Sequence, residues 1–196
     1  MIPPPDRADR PRRIGGDGQP EVFVADEQSD VEVDLARWGA LAEAVLVAEG
    51  VRGAAELSVM FVDEESITEL NARFMEQQGP TDVLAFPIDI DDGSWRLVDP
   101  IALGPDRSDP DPDEIPLLLG DVVVCPAVAA RNAPDHAGTL DDELALLVVH
   151  GVLHVLGRDH ADPAEAQAMR ARERELLEAH HWAGTAPVAF RQEQPE

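Results

Sequence analysis

The segment best suited to chemistry is the run HGVLHVLGRDH at residues 150–160. His150 and His154 are four residues apart, so on a helix both imidazoles project from one face and can bind a single metal ion. Gly157 then allows the chain to leave the helix and turn back, which brings His160 toward the same ion. Three neutral nitrogen donors are typical of catalytic zinc sites, where a fourth position stays open for water. The spacing therefore predicts one Zn²⁺ ion and a zinc-dependent hydrolase.

The residue after the first histidine limits which hydrolase this can be. The spacing equals that of the metzincin proteases, HExxHxxGxxH, but Gly151 stands where those proteases have glutamate. Because that glutamate is their general base, its absence argues against peptide hydrolysis by the same mechanism. Asp159 is the nearest carboxylate that could transfer a proton. Capping the turn, or orienting a ligand ring, is an equal alternative for Asp159.

Two helices must position this segment, and their ends are marked in the sequence. Thr139 and Asp142 form a start similar to a capping box for a helix over Glu143–Leu156, whose apolar residues lie nearly all round and predict burial. Residues 162–165 (DPAE) supply a cap, a first-turn proline and a capping glutamate for a helix that runs to about His181. The apolar stripe predicted for that last helix consists of Met169, Leu176, Leu177 and His180.

The remaining elements are predicted from periodicity and from proline and glycine breaks. Alternation or β-branched enrichment predicts strands at Glu21–Asp26, Glu56–Asp63, Thr81–Phe86 and Leu118–Cys125. Further helices are predicted over Asp34–Glu49, from Asp63 to near Gly79, and after Pro126.

Length and composition predict one domain. We expect a disordered N-terminal arm at 1–20, a metal-dependent hydrolase domain at 21–182 and a C-terminal tail at 183–196. A long, mobile acidic insertion is predicted at about 88–116.

The charge and the cysteine content bear on partners and compartment. Forty acidic residues against fifteen arginines give a formal charge of −25, which repels polyanions at long range and counts against nucleic-acid binding. The single cysteine and the lack of a signal peptide or membrane span predict a cytoplasmic protein.

Three ordered blocks of the sequence resemble the bacterial YbeY family of endoribonucleases, which are implicated in rRNA maturation and ribosome quality control. The metal segment is similar to the family signature HGxLHLxGYDH. Leu70-Asn71 followed by PTDVLAFP at 80–87 is similar to a second block, and LGD at 119–121 before an apolar strand is similar to a third. The resemblance covers about residues 21–182. It implies an α+β fold, with a mixed sheet of about four strands packed with about five helices, and a zincin-like metal site.

The resemblance also implies a function. It places the zinc ligands on His150, His154 and His160. It further implies a zinc-dependent, single-strand-specific endoribonuclease that matures the 3′ end of small-subunit rRNA. The expected partners are single-stranded RNA and the small ribosomal subunit or its associated proteins, whereas neither DNA nor a membrane is expected.

The sequence departs from the family pattern at two positions that could carry positive charge. Many members have an arginine where this chain has Met75, so Arg73 is the nearest candidate for a contact to RNA, with solvated surface as the alternative. Arg73 and Asp159 are thus the candidate catalytic residues. Arg158 replaces the signature tyrosine, and it can either restore local positive charge or cover the turn.

Outside the metal segment, Thr81, Asp82 and Asp121 are ambiguous in the sequence. Thr81 and Asp82 either start a strand or belong to a strand that edges the metal cleft. His136, His180 and His181 are predicted to be surface or helix-end residues.

Two alternative functions remain open from the sequence. One is a zinc peptidase with an atypical base. The other is a non-catalytic ribosome-assembly factor in which zinc only staples the last two helices together.

Overall fold

The computed structural model describes residues 11–15, 19–88, 116–158 and 162–192. Within these ranges the chain forms five strands and five α-helices. The strands are β1 (Arg12–Gly15), β2 (Glu21–Asp26), β3 (Ala55–Phe61), β4 (Val83–Pro87) and β5 (Leu117–Val124), and the helices are α1 (Leu35–Ala48), α2 (Glu64–Leu70), α3 (Pro126–Asn132), α4 (Leu140–Val155) and α5 (Pro163–His180). A π-helical turn (Asn71–Met75) continues α2, and a 3-10 turn (Ala133–Asp135) follows α3.

The strands form one mixed sheet in the order β1-β2-β3-β5-β4. β2, β3 and β5 are parallel, whereas β1 and β4 are antiparallel edge strands. The expected α+β class, the mixed sheet and the five helices are confirmed. The expectation of about four strands was one too few, because β1 was not anticipated.

The additional strand lies inside the segment predicted to be a disordered arm. Arg12–Gly15 pairs with β2, and Ile14 packs so closely on α1 that a Cβ atom at Gly39 would collide with it. Arg13 also forms ion pairs with Glu21 and Glu56. The expectation of disorder therefore does not hold for β1, since a neighbouring strand and a helix stabilise it. The rest of the predicted arm is mostly outside the described residues.

The core lies between the sheet and the helices α1 and α4. Successive residues of β5 alternate, so that Val122 and Val124 enter the main core while Val123 joins a smaller cluster with Ile67 and Val128 on the opposite side. Burying each large apolar side chain contributes about 1.5–3 kcal/mol. α4 is buried on nearly all sides, as its sequence predicts.

The predicted helix ends are largely confirmed. Thr139 caps α4 by accepting the backbone N–H of Asp142 at 3.1 Å, and Gly157 takes a left-handed φ of 79° just after the helix. Asp162 caps α5. The helix predicted to stop near Gly79 ends earlier, because Glu76 adopts a left-handed φ of 56°.

No helix in the described ranges is long and apolar enough to cross a membrane. The predicted acidic insertion lies outside the described residues apart from its two ends, Ile88 and Pro116.

Candidate metal centre

Two of the three predicted metal ligands lie together in one cleft. His150 and His154 are on the carboxyl-terminal half of α4, with ring centroids 4.5 Å apart and ring planes at 75°. Both line a cleft of about 440 Å³. The helical spacing therefore does bring the two imidazoles to one place, as predicted.

The third predicted ligand, His160, and the candidate proton-transfer residue Asp159 lie outside the described residues. Within the described ranges, no three histidine, cysteine or acidic side chains are grouped so that they could hold a metal ion. The two histidines would fit a zinc site that a third ligand completes, and the prediction that His160 is this ligand rests on the sequence alone.

Strand β4 lines the same cleft. The prediction that the strand beginning near Thr81 edges the cleft is confirmed. Among the described residues, the lining consists of Met75, Val83, Leu84, Ala85, Pro87, His150, Gly151, His154, Gly157 and Arg158.

A buried carboxylate from α5 contacts the first histidine. Glu173 is only 4% exposed, and its Oε1 lies 2.7 Å from Nδ1 of His150. Gln192 donates a hydrogen bond from Nε2 to the other oxygen of Glu173 at 3.0 Å. With Nδ1 in this contact, His150 would bind a metal ion through Nε2.

The sequence interpretation missed Glu173, although a signal was present. Glu173 falls four residues after Met169 and three before Leu176, on the stripe that the periodicity assigns to the core. A charged residue on a predicted buried stripe calls for a partner. The fourth member of the predicted stripe, His180, is exposed.

Arg158 lines the cleft and is paired with a buried carboxylate. Its Nε and Nη2 atoms donate to Oε2 of Glu49 at 2.9 and 2.6 Å, and Nε of Arg172 donates to Oε1 of the same carboxylate at 2.7 Å. Glu49 is largely buried, with 8% of its side chain exposed. Arg172 also pairs with Glu175, so these two arginines and two glutamates together carry no net charge, and the excess positive charge expected from Arg158 is not present in this cluster.

The other candidate catalytic residue, Arg73, is exposed on the π-helical turn beside the cleft. Its guanidinium lies 5.1 Å from the ring centroid of Phe74, which in turn meets Phe86 edge to face at 5.1 Å. Met75, the next residue along this turn, is the one that lines the cleft. The structure therefore places Arg73 next to the cleft rather than among its described lining residues.

The glycine between the two histidines has a packing role. A Cβ atom on Gly151 would lie 2.5 Å from Cγ1 of Val122 on β5, far inside ordinary contact distance. Because α4 lies this close to the sheet, the position that holds glutamate in metzincin proteases has no room for a side chain.

Comparison with known proteins identifies the family. The family model described as Endoribonuclease YbeY matches residues 23–181, which include both cleft histidines. The chain belongs to the YbeY family. The matched segment ends before Gln192, so the contact from Gln192 to Glu173 lies beyond it.

Individual relatives bear the same name. The chain is 46% identical to an Endoribonuclease YbeY of Frankia casuarinae over 157 residues, which is 80% of this chain and 72% of the relative. It is 43% identical to the protein of the same name from Acidothermus cellulolyticus over 172 residues, covering 87% of this chain and 96% of the relative. The relative from Mycolicibacterium vanbaalenii is 40% identical over 85% of this chain and 83% of its own length.

Two histidines outside the YbeY signature each pair with a carboxylate of α4. His136 is only 8% exposed, and its Nδ1 lies 2.9 and 3.0 Å from the two carboxylate oxygens of Glu143. The hydrogen bond to Glu143 raises the pKa of His136 above its ordinary value of 6.5. The side chain of His181 is 5% exposed, with its Nε2 atom 2.9 Å from Asp142. The prediction of a surface or helix-end position was wrong for His136, which pairs with a carboxylate of α4, whereas His181 does cap the end of α5, with its side chain turned against Asp142.

Asp82 belongs to a different cavity from the histidine cleft. It is buried, accepts a hydrogen bond from Nδ2 of Asn132 at 3.1 Å, and lines a cavity of about 510 Å³ together with His136. The strand after Asp82 edges the cleft, but the Asp82 side chain itself serves the neighbouring cavity.

Proposed function

We propose that this protein is a zinc-dependent, single-strand-specific endoribonuclease, with His150, His154 and His160 holding one Zn²⁺ ion in a zincin-like arrangement. The observation that carries the proposal is the pair of imidazoles in one cleft, 4.5 Å apart, in a chain of the YbeY family. Relatives at 40–46% identity are named endoribonucleases, which supports RNA as the substrate.

The charge of the cleft suits an anionic substrate better than the charge of the whole chain does. The described residues that line the cleft include no aspartate or glutamate, although the chain contains 40 of them. They do include Arg158 and the two histidines. A phosphate that reaches the cleft would therefore meet neutral or cationic groups, even though the net charge of −25 repels RNA at a distance.

The residues of the cleft have separable tasks. Zinc, when bound, supplies a Lewis acid that lowers the pKa of water and stabilises the charge that develops on a phosphodiester. His150 and His154 provide neutral nitrogen donors. Arg158 lines the cleft with Nε and Nη2 bonded to Glu49, and the other N–H groups of its guanidinium would donate to a phosphate oxygen. Asp159 stays the predicted partner for proton transfer.

The π-helical turn beside the cleft offers a contact for RNA bases. Phe74 is 52% exposed, with the Arg73 guanidinium over its ring. Exposed aromatic rings stack on the bases of single-stranded nucleic acids, and arginine adds both stacking and charge. This arrangement supports Arg73 as an RNA contact outside the cleft.

The natural substrate we propose is the 3′ end of small-subunit rRNA during its maturation and during ribosome quality control. The working partner is then the small ribosomal subunit or proteins associated with it, in the cytoplasm. This part of the proposal is supported by the family to which the chain belongs.

The packing of the residue next to His150 argues against a peptidase of the metzincin type and is compatible with a nuclease. Gly151 packs against Val122, which leaves no space for the glutamate that metzincin proteases use as general base. A peptidase would need a base from another element.

An RNA cleavage assay tests the proposal directly. We expect the zinc-loaded protein to cut a single-stranded RNA with the sequence of the small-subunit rRNA 3′ end, and to leave the matching duplex and single-stranded DNA intact. His154→Ala should reduce cleavage to background. His180→Ala is the matched control, because His180 is an exposed histidine outside the cleft, and it should cleave like the wild type. Equal trace cleavage by the wild type and His154→Ala would overturn the proposal.

A further inference from the structure

A chain of polar contacts runs from the carboxyl-terminal segment to the first cleft histidine. Gln192 donates from Nε2 to Oε2 of Glu173 at 3.0 Å and to the carbonyl oxygen of Arg170 at 3.0 Å. The other oxygen of Glu173 lies 2.7 Å from Nδ1 of His150. Both oxygens of this carboxylate therefore have partners.

The carboxylate occupies a position where an apolar side chain would otherwise be expected. Glu173 is 4% exposed on the buried stripe of α5, between Met169 and Leu176. Burying a carboxylate costs free energy unless hydrogen bonds or charges compensate for it. His150 and Gln192 provide that compensation, so the residue is suited to holding the ring rather than to filling the core.

The segment that carries Gln192 is fixed in place by its own contacts. Phe190 is 6% exposed and packs edge to face on Trp182, with ring centroids 4.7 Å apart. The backbone N–H of Arg191 donates to the carbonyl oxygen of His136 at 3.0 Å. Gln192 thus reaches Glu173 from an anchored segment, and it lies beyond the part of the chain that the family model matches.

We propose that Glu173, held by Gln192, is a positioning residue for His150. By accepting a hydrogen bond from Nδ1–H, the carboxylate selects one tautomer and one ring orientation, which leaves Nε2 as the nitrogen that would bind the metal ion. A carboxylate in this place also makes the imidazole a stronger donor. The inference rests on the proposed zinc site, and it assigns the carboxyl-terminal segment a part in building that site.

Zinc affinity gives the first test, measured by competition with a chromophoric chelator. Loss of such an outer carboxylate weakens metal binding by about 10–100-fold, and we expect this for Glu173→Ala and Glu173→Gln. Gln192→Ala should show a smaller loss, below about 10-fold, since it acts through Glu173. Glu165→Ala removes an exposed glutamate from the same helix and should leave the affinity unchanged.

The histidine tautomer gives a second test that does not depend on zinc. In ¹⁵N NMR spectra of the metal-free protein, at a pH where the ring is neutral, His150 should carry its proton on Nδ1. In folded Glu173→Ala that proton should redistribute toward Nε2. Thermal unfolding of each variant shows whether it is folded. If Glu173→Ala is unfolded, the same NMR measurement is made on Glu173→Gln, which keeps the shape of the side chain.

The outcomes separate this inference from the proposed zinc site. If His150→Ala and His154→Ala bind zinc as tightly as the wild type, the zinc site itself fails. If those two variants lose zinc while the Glu173 variants keep wild-type affinity and the tautomer is unchanged, the zinc site stands and the positioning role of Glu173 is contradicted.

Discussion

The two ends of helix α4 carry the same kind of pair in opposite orientation. Near its amino end the helix supplies the carboxylate, Glu143, which is fully buried against the ring of His136. Near its carboxyl end it supplies the imidazole, His150, which meets the carboxylate of Glu173. The side chain of His136 is 10% exposed, whereas that of His150 is 28% exposed and lines the cleft. The same chemical pair thus lies in the core at one end, and at the other end it presents an imidazole to the cleft, where we propose the metal site.

The helix itself favours this distribution. Its first turn contains Asp141, Asp142 and Glu143, whereas its last turn contains His154. Negative groups are stabilised near a helix amino terminus and positive groups near its carboxyl terminus, each by about 0.3–1 kcal/mol. An imidazole that is paired with a buried carboxylate can reach a metal ion or substrate only where it also borders a cleft, as His150 does.

The largest effect that this comparison predicts is on stability at the amino end. His136→Ala leaves the buried carboxylate of Glu143 with the backbone N–H of Ala137 at 3.1 Å and without its charged partner. Breaking a buried pair from one side costs about 3–5 kcal/mol, and we expect a loss of this size in the free energy of unfolding measured with urea. Zinc content of the protein that remains folded should not change.

His180→Ala serves as the control for that measurement. An exposed residue of this kind should alter the free energy of unfolding by no more than about 0.5 kcal/mol. If His136→Ala changed the free energy of unfolding as little as this control, the pair of His136 and Glu143 would not stabilise the fold. The contrast between the two ends of α4 would then be wrong.

A medium effect is expected next to the cleft, at Gly151. Gly151→Ala forces a methyl group against Val122, and overpacking of this kind costs about 1–3 kcal/mol. In a Val122→Ala background the same change should be neutral or stabilising, because alanine favours helices over glycine by about 1 kcal/mol. A double-mutant cycle of urea unfolding measures this coupling, and additive effects would speak against the close approach of α4 to the sheet.

The smallest predicted effect is a pH dependence of the free energy of unfolding, which arises from the pair at the amino end of α4. Glu143 holds the pKa of His136 above its ordinary value of 6.5, against the effect of burial, and the charge of Asp82 adds to the rise. The stabilisation is therefore complete below about pH 6.5 and is lost as the pH rises through the raised pKa of the folded protein. In Glu143→Gln, urea unfolding between about pH 6 and 9 should show a shallower decline. Parallel curves for the two proteins would mean that this pair does not cause the decline.

The parts of the fold set by local sequence could be predicted. The caps at Thr139 and Asp162 and the left-handed Gly157 define the ends of α4 and α5, and the structure agrees with them. Strand β1 could not be predicted in this way, because Ile14 is the only large apolar residue among its four positions. Its stability comes from pairing with β2 and from packing against Gly39, which are contacts distant in sequence.

The candidate site likewise has features that local sequence predicts and features that it does not. The helical spacing of His150 and His154 is a local property, and it placed both rings in the cleft. The pairing of His136 with Glu143 and of His181 with Asp142 depends on how loops and helices meet, so no local pattern predicts that these two side chains are buried. Glu173 lies between the two cases, since its helical position predicts burial but its partner comes from another helix.

The most direct test of the central claim is X-ray absorption spectroscopy at the zinc edge of the purified protein. The account predicts one zinc ion per chain with three imidazole nitrogens at about 2.0–2.1 Å and one oxygen from solvent, and it predicts loss of the bound zinc in His154→Ala. Four protein ligands around the ion would instead indicate a purely structural zinc. A zinc ion retained by His154→Ala would contradict the assignment of this cleft.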